Sequence, residues 1–303
     1  MNSTDRALED AIQRIAADNQ SGALEIIKAA ADVFAAVPSD AEASDLIRIC
    51  ANLARAQPAM APLVNLASGV VSEATREGAR PSVSAASAAR RFVNAAATGA
   101  LDLSRLAAGL ITERSVVLTH SRSSTVLSAL MEAKHRGTSF NVIATESRPL
   151  LEGRKLAGEL AAASVPVTLI ADCAVAALLT QASIVLVGAD RVTPSDVVNK
   201  IGTRLIALAA QDAGVPIYSL CDSSKFLNSD IPAQRVDTHS PSEIWDSRPS
   251  GVLAFNSYFE STPIGLFTAI VTEGGLLASS DAQHLARSRT IHPALARALS
   301  QFL

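Results

Sequence analysis

Beyond residue 112 the chain alternates short β-branched runs with helical stretches of about ten residues, and few folds accommodate that rhythm. The strand-like runs fall at 115–119, 141–145, 167–171, 184–188 and 216–221, with a weaker one at 269–272. Between them lie helical stretches at 124–135 (closed by Gly137), 153–163, 173–180 and 202–213 (closed by Gly214). Runs that are apolar on both faces and joined through helices imply βαβ units. The predicted architecture is therefore a Rossmann-like, doubly wound parallel sheet.

The first third reads differently. Leu8, Ile12 and Ile15 stand at helical spacing, and 19–22 ends that run. Ile26, Ile27, Ala30 and Phe34 form a second stripe before Pro38. Ser39 is the expected N-cap of a third helix carrying Leu46, Ile49, Cys50 and Leu53 and ending at Pro58. Further helices are expected after Pro62 and Pro81, the latter stopping near Gly99. The predicted organisation is an all-helical domain over 1–110 followed by the α/β domain over 111–303. Apolar residues of the C-terminal part (Val252, Phe255, Ile264, Leu266, Phe267 and Ile270) are expected to pair two copies.

Composition removes several function classes. Twenty-six basic residues against 29 acidic ones, and 4% aromatics, argue against a direct nucleic-acid binder. The mean hydropathy of +0.26 is spread out and alanine-rich, with no apolar run of about 18 residues, so no membrane partner is expected. The charged, helical N-terminus is unlike a signal peptide. Three cysteines make neither a disulfide framework nor a metal cluster, so no metal is expected. No GxGxxG or GxxxxGK[ST] pattern occurs, and no cofactor is implied. The expected compartment is the cytoplasm.

In a parallel sheet, ligands bind beyond the carboxyl ends of the strands. His120, Ser121, Arg122, Ser123 and Ser124 follow the first run; Glu146, Ser147 and Arg148 follow the second, with Arg154 a little further on. Asp172, Asp190 and Arg191, then Asp222 and Lys225, follow the later runs. Guanidinium groups and helix N-termini suit a phosphate, and carboxylates suit sugar hydroxyls. Each residue also has a structural reading: the serines as caps, the arginines as surface ion pairs, the aspartates as turn caps, His120 as a hydrogen-bonded core histidine. Their convergence on one sheet edge favours a phosphate-binding α/β domain.

Longer segments narrow this further. VVLTHSRSSTVLSAL (116–130), ATESRPLLEGRKLAGEL (144–160), IADCA (170–174), VLVGADRV (185–192), NKIGT (199–203), DSSKF (222–226), NSYFESTP (256–263) and VTEGG (271–275) occur in that order. Together they resemble the superfamily that unites the alpha, beta and delta subunits of translation initiation factor 2B with two isomerases. Those isomerases act on 5-methylthioribose 1-phosphate and ribose 1,5-bisphosphate. The resemblance implies a homodimer, initiation-factor complex subunits as partners, and a pocket for a phosphorylated sugar or nucleotide monophosphate. It implies ligand contacts from His120, Ser121, Arg122, Ser123, Glu146, Arg148, Arg154, Asp190, Asn199, Lys200 and Lys225. Arg148 is expected to be the main anionic anchor.

This chain departs from the isomerase pattern in three places. Where the isomerases read Thr-His-Cys it has Ser121, and a serine hydroxyl does not titrate near neutrality as a thiol can. The isomerases' Arg-Gly-Ala loop is absent, and Ser195-Asp196 replaces an Asn-Gly. The expected function is therefore a factor-2B-like regulatory protein that binds a sugar phosphate or nucleotide monophosphate. The alternatives are an aldose–ketose isomerase with Asp190 and Ser121 as its catalytic pair, and a structural homodimer with a vestigial pocket.

Overall fold

The computed structural model describes residues 3–19, 21–228 and 238–301. Gln20, inside the expected break at 19–22, lies outside the described residues. Five helices come first: α1 (Ser3–Ala17), α2 (Ala23–Ala35), α3 (Ala43–Ala56), α4 (Ala61–Ala74) and α5 (Pro81–Ala108). The apolar stripes at Ile26, Ile27, Ala30 and Phe34 and at Leu46, Ile49, Cys50 and Leu53 meet in one buried core.

Two boundaries differ from expectation. Helix α3 begins at Ala43 rather than after Ser39, because residues 38–41 close a turn in which the Ala41 N–H donates to the Pro38 carbonyl at 3.1 Å. Glu42 takes the cap, and its N–H donates to the Asp45 carboxylate at 3.2 Å. Helix α5 passes through Gly99 and runs 28 residues. A helical glycine costs about 1 kcal/mol relative to alanine. Burial of Leu103 one turn on contributes about 1.5–3 kcal/mol, so the helix continues.

The rest alternates as the sequence rhythm predicts. β1 (Val116–Thr119), α6 (Ser124–His135), β2 (Asn141–Thr145), α7 (Glu152–Ala162) and β3 (Val167–Ile170) build one wing. The short α8 (Val175–Leu178) leads to β4 (Ile184–Gly188), β5 (Arg191–Val192), β6 (Asp196–Lys200), α9 (Thr203–Ala213) and β7 (Ile217–Leu220). β8 (Phe259–Pro263), β9 (Ala269–Thr272), β10 (Gly275–Leu277), α10 (Ser279–Ser288) and α11 (Pro293–Ser300) complete the chain. The large sheet has the order β10-β9-β7-β4-β1-β2-β3 and is parallel except where β10 returns against β9. Val117 pairs with both Val142 and Ile184, so β1 and β4 lie side by side at the point where the winding reverses. That switch point opens a crevice beyond their carboxyl ends.

A second, three-stranded antiparallel sheet, β5-β6-β8, sits above this crevice. Of the C-terminal apolar residues expected to pair copies, Ile264, Phe267 and Ile270 are buried in the chain's own core, and Leu266 packs against it. Ile264 and Leu266 lie in a short 3-10 turn and Ile270 on β9, and packing against the sheet uses these side chains within the chain itself. Of the six, only Val252 and Phe255 are largely exposed, Phe255 at 68% on the rim of a cavity described below. Helix α11 crosses back to the helical layer, where Leu295 and Leu227 join its core. Among the described residues, no helix is long and apolar enough to cross a membrane.

Candidate functional site

The switch-point crevice forms the floor of a cavity of about 880 Å³, roofed by the α1–α2 and α3–α4 loops of the helical layer. Three helices point their N-termini into it: α2 through Gly22 and Ala23, α6 through Ser123 and Ser124, and α7 through Leu151 and Glu152. Each end presents backbone N–H groups with no intrahelical acceptor, a field that favours an anion. Ser21-Gly22-Ala23 occupies the N-terminal side of the cavity. Ser195 lies in the β5–β6 turn and Asp196 opens β6, both outside the cavity wall, so their departure from Asn-Gly belongs to the hairpin and not to the cavity.

His120 follows β1 and is 1% exposed. Its Nε2 lies 2.7 Å from the Ile201 carbonyl, which can only accept, so Nε2 carries the proton. Nδ1 then accepts from the Thr145 hydroxyl at 2.6 Å. Thr145 Oγ1 is 3.0 Å from Ser147 Oγ, and Ser147 Oγ accepts the Ser121 N–H at 2.7 Å. One directional chain of hydrogen bonds thus ties the ends of β1 and β2 to the loop before α9. Burial lowers the His120 pKa from its ordinary value and keeps the ring neutral. Gly202, at φ +103°, leaves room for the ring: a Cβ there would stand 3.0 Å from Nε2.

Ser121 is held at φ +64°, a left-handed conformation that a serine adopts only under constraint, and it lines the cavity. Ser123 caps α6 by accepting the Val126 N–H at 3.3 Å, and it packs against Gly188. Asp190 follows β4 on the cavity wall. Burial raises its pKa, against the opposing pull of Lys225, Lys200 and Arg191. Asn199 and Lys200 arrive on β6. Asn199 donates to Thr203 Oγ1 at 2.9 Å, and Lys200 pairs with Glu152 Oε1 at 2.6 Å beneath the Tyr258 and Phe259 rings. The second Glu152 oxygen is buried with no hydrogen-bond partner among the described residues. Lys225 is 5% exposed and lines the cavity, and among the described residues no carboxylate or carbonyl bonds its nitrogen.

The cavity therefore brings together His120, Ser121, Arg122, Ser123, Asp190, Asn199, Lys200 and Lys225. The Arg122 guanidinium is already engaged by Glu159, at 2.9 Å from NH2 and 3.0 Å from Nε. Glu146, Arg148 and Arg154 stand outside the wall. Glu146 and Arg154 pair with each other at 2.7 Å, and the exposed Arg148 donates to the Ile244 carbonyl at 3.3 Å. The Arg148–Pro149 peptide is cis, and both oxygens of Asp172 accept backbone N–H groups, from Ser147 and Arg148, at 2.7 Å each. With its guanidinium on the Ile244 carbonyl, Arg148 is not among the residues that line the cavity. Glu152, Lys155, Tyr258 and Glu260 line the cavity without having been singled out. Glu260 caps α9, accepting the Gly202 and Arg204 N–H groups at 2.7 and 2.9 Å. It arrives on β8, which no periodicity announced.

The model of the initiation factor 2 subunit family matches residues 6–279. The chain belongs to that family. It is 40% identical over 186 residues to a methylthioribose-1-phosphate isomerase from Heliobacterium modesticaldum, covering 55% of this chain and 54% of that protein. The chain thus spans about half the length of that relative. It is 31% identical over 280 residues to a ribose 1,5-bisphosphate isomerase from Archaeoglobus fulgidus, covering 88% of each. The crystal structure of translation initiation factor eIF-2B from Pyrococcus horikoshii OT3 superposes with a TM-score of 0.78 at 29% identity, over 89% of this chain and 96% of that one. The family thus holds relatives named as isomerases beside relatives named as initiation factors.

Proposed function

We propose that the chain binds a phosphorylated pentose in the switch-point cavity and acts through binding rather than turnover. The observation that carries this reading is Lys225. A cation that is 5% exposed, with no bonded protein anion among the described residues, is costly, and an incoming phosphate would relieve that cost. The three helix N-termini supply the remaining donors, while Glu152 and Asp190 offer acceptors for sugar hydroxyls. Ser121 at the isomerases' cysteine position removes a group able to move protons near neutrality.

Thermal unfolding with ribose 5-phosphate tests this. At about 100 times its dissociation constant the ligand should stabilise the wild type by roughly 2.7 kcal/mol. Lys225→Met should lose most of that increment, and Arg148→Ala should keep it. An equal increment in Lys225→Met would remove the cavity from consideration.

The second reading, an aldose–ketose isomerase, is favoured by Asp190, whose raised pKa suits a group that passes a proton between adjacent sugar carbons. Its signature is a ketose signal growing in by NMR from ribose 1,5-bisphosphate or a methylthioribose phosphate, and lost in Asp190→Asn. The proposal includes self-association through the α/β half, supported by the exposed Leu205 and Leu208 on α9. Light scattering that returns the monomer mass at every concentration would refute that part.

A further inference from the structure

Helix α4 belongs to the helical layer, yet it holds the backbone at Asp190 and on either side of Lys225, two of the charged groups that line the cavity. The Ala61 N–H, in its first turn, donates to the Asp190 carbonyl at 3.1 Å. Four residues on, and so on the same helix face, the Asn65 side-chain amide donates to two carbonyls across the layer boundary. It bonds Ser224 at 2.6 Å and Phe226 at 2.9 Å, the two residues that flank Lys225.

A planar amide with two N–H donors spends both on carbonyls two residues apart, which fixes the peptide planes on either side of the lysine. The remaining supports of that turn come from the sheet layer. The Asp222 carboxylate accepts the Ser224 N–H at 3.0 Å, and Glu273 accepts the Ser223 N–H at 3.0 Å. Leu227, just beyond the turn, is buried in the helical core, and its N–H donates to the Val192 carbonyl at 2.9 Å. The turn is thus gripped from both layers, and Asn65 is the grip nearest the lysine.

We propose that Asn65 is a positioning residue for Lys225, and that through Ala61 and Asn65 helix α4 sets how the Asp190–Lys225 pair meets an anionic ligand. This inference rests on the reading of the cavity as a phosphate site. Its consequence is that ligand affinity depends on the docking of a helix that contributes no charged side chain to the cavity. Loss of the amide lets the turn relax and lets the ammonium sample positions off the phosphate, so the cost appears in binding through Lys225 and not in binding generally.

The test is a double-mutant cycle on ribose 5-phosphate affinity, measured by calorimetry with the full-length protein. Asn65→Ala should weaken binding roughly tenfold in the wild-type background, on the scale of one to two hydrogen bonds lost. In the Lys225→Met background, where the three helix N-termini and Lys200 still bind weakly, the same substitution should cost less than twofold. Equal losses in both backgrounds would show that Asn65 merely supports the fold, and would overturn the inference. Should Asn65→Ala melt too low to measure, Asn65→Gln replaces it. The longer amide should recover part of the affinity while Asn65→Leu, of similar volume without donors, should not; equal affinities for the two overturn the inference. Failure of the wild type to bind ribose 5-phosphate overturns the phosphate reading and this inference together. Binding with an uncoupled cycle overturns the inference alone.

Discussion

At the scale of single residues, His120 shows how a motif histidine can be committed to structure. Both ring nitrogens are bonded within the protein, and burial outweighs the stabilising influence of the Ile201 carbonyl, Asp172 and Glu152 on the charged form. Its pKa in the folded chain lies below the ordinary 6.5. The unfolded chain therefore binds more protons between that lowered value and 6.5. Stability contributed by the neutral ring is complete above 6.5 and is lost as pH falls through the folded pKa, with a slope of up to about 1.4 kcal/mol per pH unit. Denaturant melts of His120→Gln should be flatter than wild type between pH 7 and 5; parallel profiles would place the acid sensitivity elsewhere. Asp190 behaves with the opposite sign. Its raised pKa means that the unliganded protein loses stability as pH rises from 3.8 through the folded value. Asp190→Asn should melt higher than wild type at pH 8, and the gap should close as pH falls toward the ordinary carboxylate range.

At the scale of elements, the junction of β4 with α6 is decided by one contact. A Cβ on Gly188 would stand 2.6 Å from Ser123 Oγ and 2.8 Å from Ser123 Cβ. Gly188→Ala should therefore destabilise by about 1–3 kcal/mol through overpacking. Ser123→Gly in the same chain should recover most of that loss, because a glycine N-cap costs only a few tenths of a kcal/mol. Additive losses in the double variant would mean that the strain lies elsewhere. The β2–α7 junction offers no such relief. A Cβ on Gly153 would fall 1.7 Å from the Thr145 carbonyl oxygen, a backbone atom, so Gly153→Ala should cost about 3 kcal/mol or more. Chemical denaturation reads both.

At the scale of the whole molecule, the chain's last helix closes on its first layer. Leu295 is fully buried among α3 and α4 residues, the Arg55 guanidinium bonds the Ala298 carbonyl, and the His292 N–H donates to Ser68 Oγ at 2.9 Å. Leu295→Ala should cost about 2–5 kcal/mol. If α11 docks as tightly as its burial indicates, the loss should appear in a single cooperative transition; a small early transition confined to the C-terminus would show that it docks independently.

The large sheet was legible because period and composition are local properties. Strands buried on both faces must read as apolar runs, and the helices between them must break at Gly137 and Gly214. The switch-point rule then located the crevice from chain order alone. The family segments lie at these same strand ends, which is why Asp190, Asn199, Lys200 and Lys225 were named before any geometry. What the sequence could not contain were relations between distant residues. The strand β5 is only two residues long, and β6 pairs with β8 across some 60 positions, so no window reveals that sheet. Arg148 stands beside a strand end, as expected, yet the Asp172 carboxylate and the Ile244 carbonyl orient its loop outward. Arg122 is drawn to Glu159 by a helix face that its own neighbours do not specify. Lys225 becomes the prominent charge because tertiary packing buries it with no bonded anion among the described residues, while Asn65 reaches over from another layer to hold its turn. The sequence determined which elements form and which chemistry lies at their ends, since both follow from neighbouring residues. Only the tertiary structure decided which side chains were neutralised by distant partners and which were left facing the cavity.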